Sequence, residues 1–117
     1  MNVMANDLKT LIPDTQRFLD QEKKHFIGGK WIAGSSGDSF SVIDPSNAEV
    51  LTQIPAGTAE DIDNAVQAAN TALNDPMWRD MPPANRERMM HRFADLIEGH
   101  AEELGQLEAL DVGMPSF

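Results

Sequence analysis

The chain has 117 residues, enough for one small domain, and 41% of them are apolar in periodic runs, which excludes a disordered class. Its 19 acidic against 9 basic side chains leave a net charge of −10, which excludes a nucleic-acid binder and is repelled by an anionic membrane surface. No apolar run is long enough to span a bilayer, and the absence of cysteine removes disulfides, thiolate metal sites and cysteine nucleophiles and suits the cytoplasm.

Residues 1–24 read as a polar N-terminal arm. Leu8, Leu11, Ile12, Phe18 and Leu19 give it a short apolar pattern, and Pro13-Asp14 can start one helix over about 14–22. The arm is expected to pack on a surface outside the chain or to stay mobile; a leader sequence is the rival reading. From 25 to 117 the pattern is continuous. His25 to Ala33 predicts a hairpin, with Phe26-Ile27 and Trp31-Ile32 as strands and Gly28-Gly29 supplying the positive φ angles of a tight turn. Gly34 to Ser39 is a polar loop. Phe40 to Ile43 and Val50 to Ile54 are a second strand pair, joined by Asp44-Pro45-Ser46-Asn47, where Asp44 is placed to cap its own turn.

The hydrophobic period then changes from two to 3.6. Thr58 is a good N-cap and Asp61 follows at capping-box spacing. Ile62, Ala65, Val66, Ala69, Ala72 and Leu73 form one stripe over about 59–74. Asn74-Asp75-Pro76 ends that helix, with Trp78 expected in a loop. A second helix starts near Pro83 and carries Met89, Met90, Phe93, Ala94, Leu96 and Ile97; Gly99 breaks it. A third runs from about Ala101 to Val112, with Leu104, Leu107 and Leu110 or Asp111 at helical spacing. Gly113 is placed for the left-handed C-terminal cap and Pro115 blocks continuation. The fold class is therefore α/β: arm, two short antiparallel strand pairs, three amphipathic helices. An apolar stripe this close to the last residue suggests the opening of something larger. With its stripes uncovered, the chain should be loosely folded or prone to associate.

Local motifs carry little chemistry. Gly28-Gly29-Lys30 lacks the spacing of a phosphate loop and is followed by Trp31, so a hairpin turn explains it. His25, His91 and His100 are far apart, with no i+4 partners for a metal. Glu60, Asp61 and Asp63, like Glu102 and Glu103, sit where a helix N-terminus favours negative charge. Arg86 and Arg88 are placed to pair with Asp80 or Glu87. Trp31 and Trp78 read as packing anchors.

Four segments in this order resemble the N-terminal part of an NAD(P)-dependent aldehyde dehydrogenase. They are Phe26-Ile27-Gly28-Gly29-Lys30-Trp31; Val42-Ile43-Asp44-Pro45-Ser46-Asn47-Ala48-Glu49-Val50-Leu51; Glu60-Asp61-Ile62-Asp63 leading into Ala65-Val66-Gln67-Ala68-Ala69; and Leu96-Ile97-Glu98 with Leu107-Glu108-Ala109-Leu110-Asp111. The family commonly has Asn at Asp44, Gly at Ala48, and Asn-Gly-Lys-Pro at Val112-Gly113-Met114-Pro115. The resemblance implies an incomplete part of the cofactor-binding domain, with the rest of the dehydrogenase chain or its subunits as partner. NAD or NADP and the aldehyde would be met only in the complete enzyme, whose catalytic cysteine, glutamate and nucleotide fold come later; the chain alone is expected to be inactive and to hold neither cofactor. The resemblance also implies a structural K⁺ or Na⁺ site from the backbone of Val42 and Ile43 and the side chain of Asp111; the alternative is that Asp111 caps its helix. A non-catalytic protein that docks on full-length subunits is the rival function.

Overall fold

A computed structural model describes residues 11–114; Leu8 and Pro115 lie outside them. Its elements are α1 (Pro13–Asp20), β1 (His25–Ile27), β2 (Lys30–Ile32), β3 (Ser39–Ile43), β4 (Val50–Pro55), α2 (Ala59–Asn74), α3 (Pro76–Arg79), α4 (Pro83–Gly99) and α5 (Ala101–Val112). The strands form two separate antiparallel pairs, β1–β2 and β3–β4.

The β1–β2 turn uses Gly28 (φ 60°) and Gly29 (φ 76°), as a two-residue hairpin with two left-handed centres requires. Its register pairs Phe26 with Trp31, and their rings lie 4.8 Å apart at 48°. Trp31 remains 69% exposed, so it anchors nothing beyond this pair among the described residues.

The β3–β4 turn is built around Asp44. Its Oδ1 accepts from the Ser46 N–H at 2.8 Å and from Ser46 Oγ at 2.6 Å. The Ala48 N–H closes back on the Asp44 carbonyl at 2.8 Å, which holds Ala48 at φ 63°. The register slips between Val42 and Ile43.

Helix α1 starts at Pro13 and ends two residues before the sequence pattern does, and it contacts α5 and β4 of its own chain. The Ile12 N–H donates to Gln106 Oε1 on α5 at 3.0 Å, and Thr52 Oγ1 on β4 donates to the Leu19 carbonyl at 3.1 Å. Lys23 folds back over the Phe18 ring and donates to the carbonyls of Phe18, Leu19 and Gln21, closing the helix end. Burial holds its ammonium below the ordinary lysine range, against the raising influence of Asp20.

Helix α2 begins with a complete capping box between Thr58 and Asp61. Its apolar stripe divides. Asp61, Ala65 and Ala68 turn toward the hairpin, where a side chain at Gly28 would meet Ala68 Cβ at 3.8 Å. Ile62, Val66 and Leu73 point away and stay 53–60% exposed. Small residues therefore make the close contact while the large ones are left bare.

Asp75 does not end the helical region. Its carboxylate caps Met77 at 2.8 Å with Pro76 at the first position, so Trp78 lies in the short helix α3 rather than a loop. Helix α5 presents Gln106 as its most buried residue, flanked by half-buried Leu107 and Leu110, while Leu104 is 45% exposed. A polar clasp to α1 centres this face, displacing the leucine stripe.

No apolar residue among those described is fully buried; the buried ones are Thr15, Asp44, Asp61 and Gln106. No apolar core forms among the described residues, because both large stripes lie open. We predict a broad, weakly cooperative thermal transition; a sharp two-state melt of a monomer would contradict the open faces. Ala48→Gly should raise the urea midpoint by the equivalent of about 1 kcal/mol, because glycine carries no penalty at φ 63°.

Candidate functional site

The expected cation ligands lie at the end of β3 and the last turn of α5. Val42 is half-buried, while Ile43 and Asp111 are exposed. The two ends meet through Gly113, whose φ of 70° closes α5: a Cβ there would lie 2.8 Å from Pro45 Cγ. Only glycine lets the helix end abut the turn that follows β3. Backbone bonds from Gly113 and Met114 to the Ala109 carbonyl close the helix. Asp111 thus sits in a last turn that holds no basic residue, where the helix dipole disfavours a carboxylate. Among the described residues there is no cluster of three or more His, Cys, Asp or Glu side chains able to hold a metal. The candidate ligands include two backbone carbonyls, a donor class outside that kind of cluster.

The second polar centre is Asp61. Its carboxylate accepts from the Thr58 N–H at 3.0 Å, Thr58 Oγ1 at 3.1 Å, and the Ser35 N–H and Oγ at 3.2 Å each. His25 Nε2 on β1 lies 3.9 Å from Oδ2, buried and without a hydrogen-bond partner among the described residues. One carboxylate thus gathers β1, the Gly34–Ser39 loop and the start of α2. Ser35, His25 and Asp61 have the composition of a nucleophilic triad but not its order. The serine hydroxyl lies 2.6 Å from Thr58 Oγ1 and 3.2 Å from the carboxylate, and His25 Nε2 bonds neither, so the relay of a triad is not formed. The Thr58 backbone hydrogen bond leads in holding the Asp61 carboxyl below its ordinary range, assisted by Ser35 and opposed by burial. Capping-box spacing made the Thr58 bond readable; no local signal pointed to Ser35 or His25.

The remaining candidates are surface groups. His91 lies 3.8 Å from Glu87, and His100 Nδ1 lies 3.0 Å from Glu103. Glu60, Asp63 and Glu102 are exposed. Arg86 pairs with neither Asp80 nor Glu87. It donates to the Trp78 carbonyl at 2.7 Å and covers the Trp78 ring at 5.0 Å. Arg88 turns to Asn85, and Asp80 takes Arg79 instead, at 3.0 Å for both bonds.

Comparison with known proteins adds four findings. The profile described as "Aldehyde dehydrogenase family" matches residues 31–116. The chain is 42% identical to the phenylacetaldehyde dehydrogenase of Pseudomonas fluorescens over 87 residues, 74% of this chain and 17% of that one. It is 42% identical to the mitochondrial benzaldehyde dehydrogenase of Antirrhinum majus over 95 residues, 81% of this chain and 18% of that one. The solved NAD⁺ complex of an aldehyde dehydrogenase from Bacillus cereus superposes with a TM-score of 0.83 at 41% identity, covering 87% of this chain and 21% of that chain. The chain therefore spans about a fifth of the length of such relatives.

The Asp61 bonds stabilise above the carboxyl's unfolded pKa of about 4 and are lost as pH falls through its lower folded value. Amide exchange at Ser35 should accelerate below that window. Asp61→Asn should give fast Ser35 exchange at every pH, and Thr58→Ala should cost about 1 kcal/mol.

Proposed function

Because this chain belongs to the aldehyde dehydrogenase family, we propose that it serves the NAD(P)-dependent oxidation of an aldehyde to a carboxylic acid. It supplies the N-terminal part of that enzyme, with the rest of a dehydrogenase chain or its subunits as partner. The observation that carries this reading is the match over residues 31–116. No spanning helix occurs among the described residues, and the cysteine-free composition supports a cytoplasmic setting.

The chain's own residues do not fit the nicotinamide cofactor. A dinucleotide site needs a glycine-rich strand-to-helix turn with an open helix N-terminus for the pyrophosphate. Here the N-terminus of α2 is filled by its own Asp61 carboxylate. Aldehyde oxidation also needs a nucleophile for the carbonyl, and this family's thiolate has no residue to carry it among the 117. The contribution of this chain is therefore architectural. It carries helices α2, α4 and α5 beside two strand pairs and offers apolar faces to be covered.

The structural cation belongs to the same proposal. The carbonyls of Val42 and Ile43 and the carboxylate of Asp111 are hard oxygen donors that fit K⁺ or Na⁺. The register slip beside Ile43 and the uncompensated charge at the end of α5 support the assignment. A bound cation would offset that charge against the helix dipole.

Two experiments test these readings. Expression of the longest continuous reading frame containing the chain should give aldehyde-dependent NADH or NADPH, while the 117-residue chain should give none. A frame that stops after Phe117 with no dehydrogenase sequence beyond it would sink the enzyme reading. Crystals soaked in Rb⁺ or Tl⁺ should show an anomalous peak beside Asp111 that Asp111→Ala abolishes; no peak there would end the cation assignment.

A further inference from the structure

His25 Nε2 is shut from solvent and has no hydrogen-bond partner among the described residues. A buried polar atom left unserved is costly. Yet 23% of the side chain remains exposed, so protons reach the ring from elsewhere on it. Ahead of Nε2 stands Asp61 Oδ2, 3.9 Å away, on a carboxylate that is itself only 5% exposed. The gap is too long for a hydrogen bond and within reach of an ion pair.

Two glycines leave space around the ring. A Cβ at Gly34 would lie 3.4 Å from His25 Nε2, and one at Gly57 would lie 3.8 Å from Cε1. With no side chain at either position, the ring is free to advance by the roughly 1 Å that separates this contact from a bond. The carboxylate is equally able to receive it. The Ser35 N–H lies 3.2 Å from both oxygens, so Oδ1 alone satisfies it. The Ser35 hydroxyl has a second acceptor in Thr58 Oγ1 at 2.6 Å. Oδ2 is thus able to take a new donor while the Thr58 N–H bond stays.

The other charges nearby are engaged or turned to solvent. Lys24 pairs with Glu22, and Lys30 is exposed at the far end of the hairpin. Across the hairpin His25 faces Ile32. Asp38 on the loop and Glu60 and Asp63 on α2 are exposed. Asp61 is the titratable group within ion-pair distance of the ring among the described residues.

We propose that His25 is a proton-operated latch: as the imidazolium it donates Nε2–H to Asp61 Oδ2 and pins the β1–β2 hairpin to α2, and as the neutral ring it lets go. The partner stays ionised throughout, because the Thr58 backbone bond, assisted by Ser35, holds the Asp61 carboxyl below its ordinary range. Histidine ordinarily changes charge between pH 5 and 8. The latch is therefore closed on the acid side of that range and opens as pH rises through it. The Asp61 bonds to Thr58 and Ser35 run in the opposite sense and fail only in stronger acid. The hairpin is held most firmly in the window between the two titrations. None of this depends on aldehyde chemistry, so the latch and the family reading stand or fall separately.

The test is hydrogen exchange, read by mass spectrometry and corrected for intrinsic rates, on the protein expressed from its longest continuous reading frame. In a peptide spanning 25–32, protection at about pH 5.5 should exceed that at about pH 8 by roughly tenfold, the size of one hydrogen bond to a charged group. His25→Gln should flatten the difference, whereas His91→Gln, at an exposed position on α4, should leave it intact. A peptide spanning 86–96 of α4 should show no such difference. In the unsubstituted protein the His25 ring resonances should move along the same pH curve as hairpin protection, which decides the matter even where His25→Gln does not fold. A flat profile, or firmer protection on the alkaline side, overturns the proposal. A difference that survives in His25→Gln or vanishes in His91→Gln overturns it too, since another group then operates the hairpin. An equal change in α4 overturns it as a general loosening, and separate midpoints for ring and hairpin overturn it as uncoupled.

Discussion

Asp61 is placed where three pieces of chain would otherwise drift apart. A hairpin of six paired residues, a polar loop and the start of a helix each have too little apolar contact to hold together alone. The carboxylate ties them by accepting from Ser35 and Thr58 while facing His25. Its position in the first turn of α2 adds a favourable interaction with the helix dipole. Because the site is nearly closed to water, the accepted bonds are also what makes its burial tolerable. The small face of α2 follows from this tie: with Asp61 pulled onto the loop, Ala65 and Ala68 come against the hairpin and the larger residues rotate outward.

The same logic governs the other end. Gln106 accepts from Ile12, Asp44 folds its own turn, and Gly113 lets α5 touch Pro45. Each junction is made by a polar group or a glycine rather than by interlocking aliphatic side chains. Such a molecule has its geometry specified by hydrogen bonds while most of its hydrophobic driving force is still unused. This is the reverse of an ordinary small domain, in which burial comes first and polar groups are satisfied around it.

Much of this was legible in the sequence, for identifiable reasons. Gly28-Gly29 between β-prone pairs leaves few alternatives to a hairpin, and Thr58 with Asp61 specifies a helix start by local chemistry alone. Gly113 was readable as a left-handed cap for the same reason. The errors have a common cause. Asp75-Pro76 ends one helix and begins another with the same residues, so the stop was visible and the start was not. The α2 stripe was visible, but which part of it would be covered depended on Asp61 reaching a loop 26 residues away. Arg86 was matched to carboxylates by charge, whereas a nearby carbonyl and an indole ring met it first. The proposed ligand set of Val42, Ile43 and Asp111 came through family resemblance; two of its three donors would be backbone oxygens, which leave no mark on residue type.

The placement of the two tryptophans gives the chain a built-in optical map. Trp31 stands on the hairpin beside Phe26, and Trp78 lies beneath Arg86 at the helical corner. They mark two different parts of the chain, the β1–β2 hairpin and the corner between α3 and α4. Replacing either with phenylalanine leaves a single emitter. Its colour and quenching then report on one part alone, so the loosening of the clasp and the covering of the helices become separable signals in the same solution.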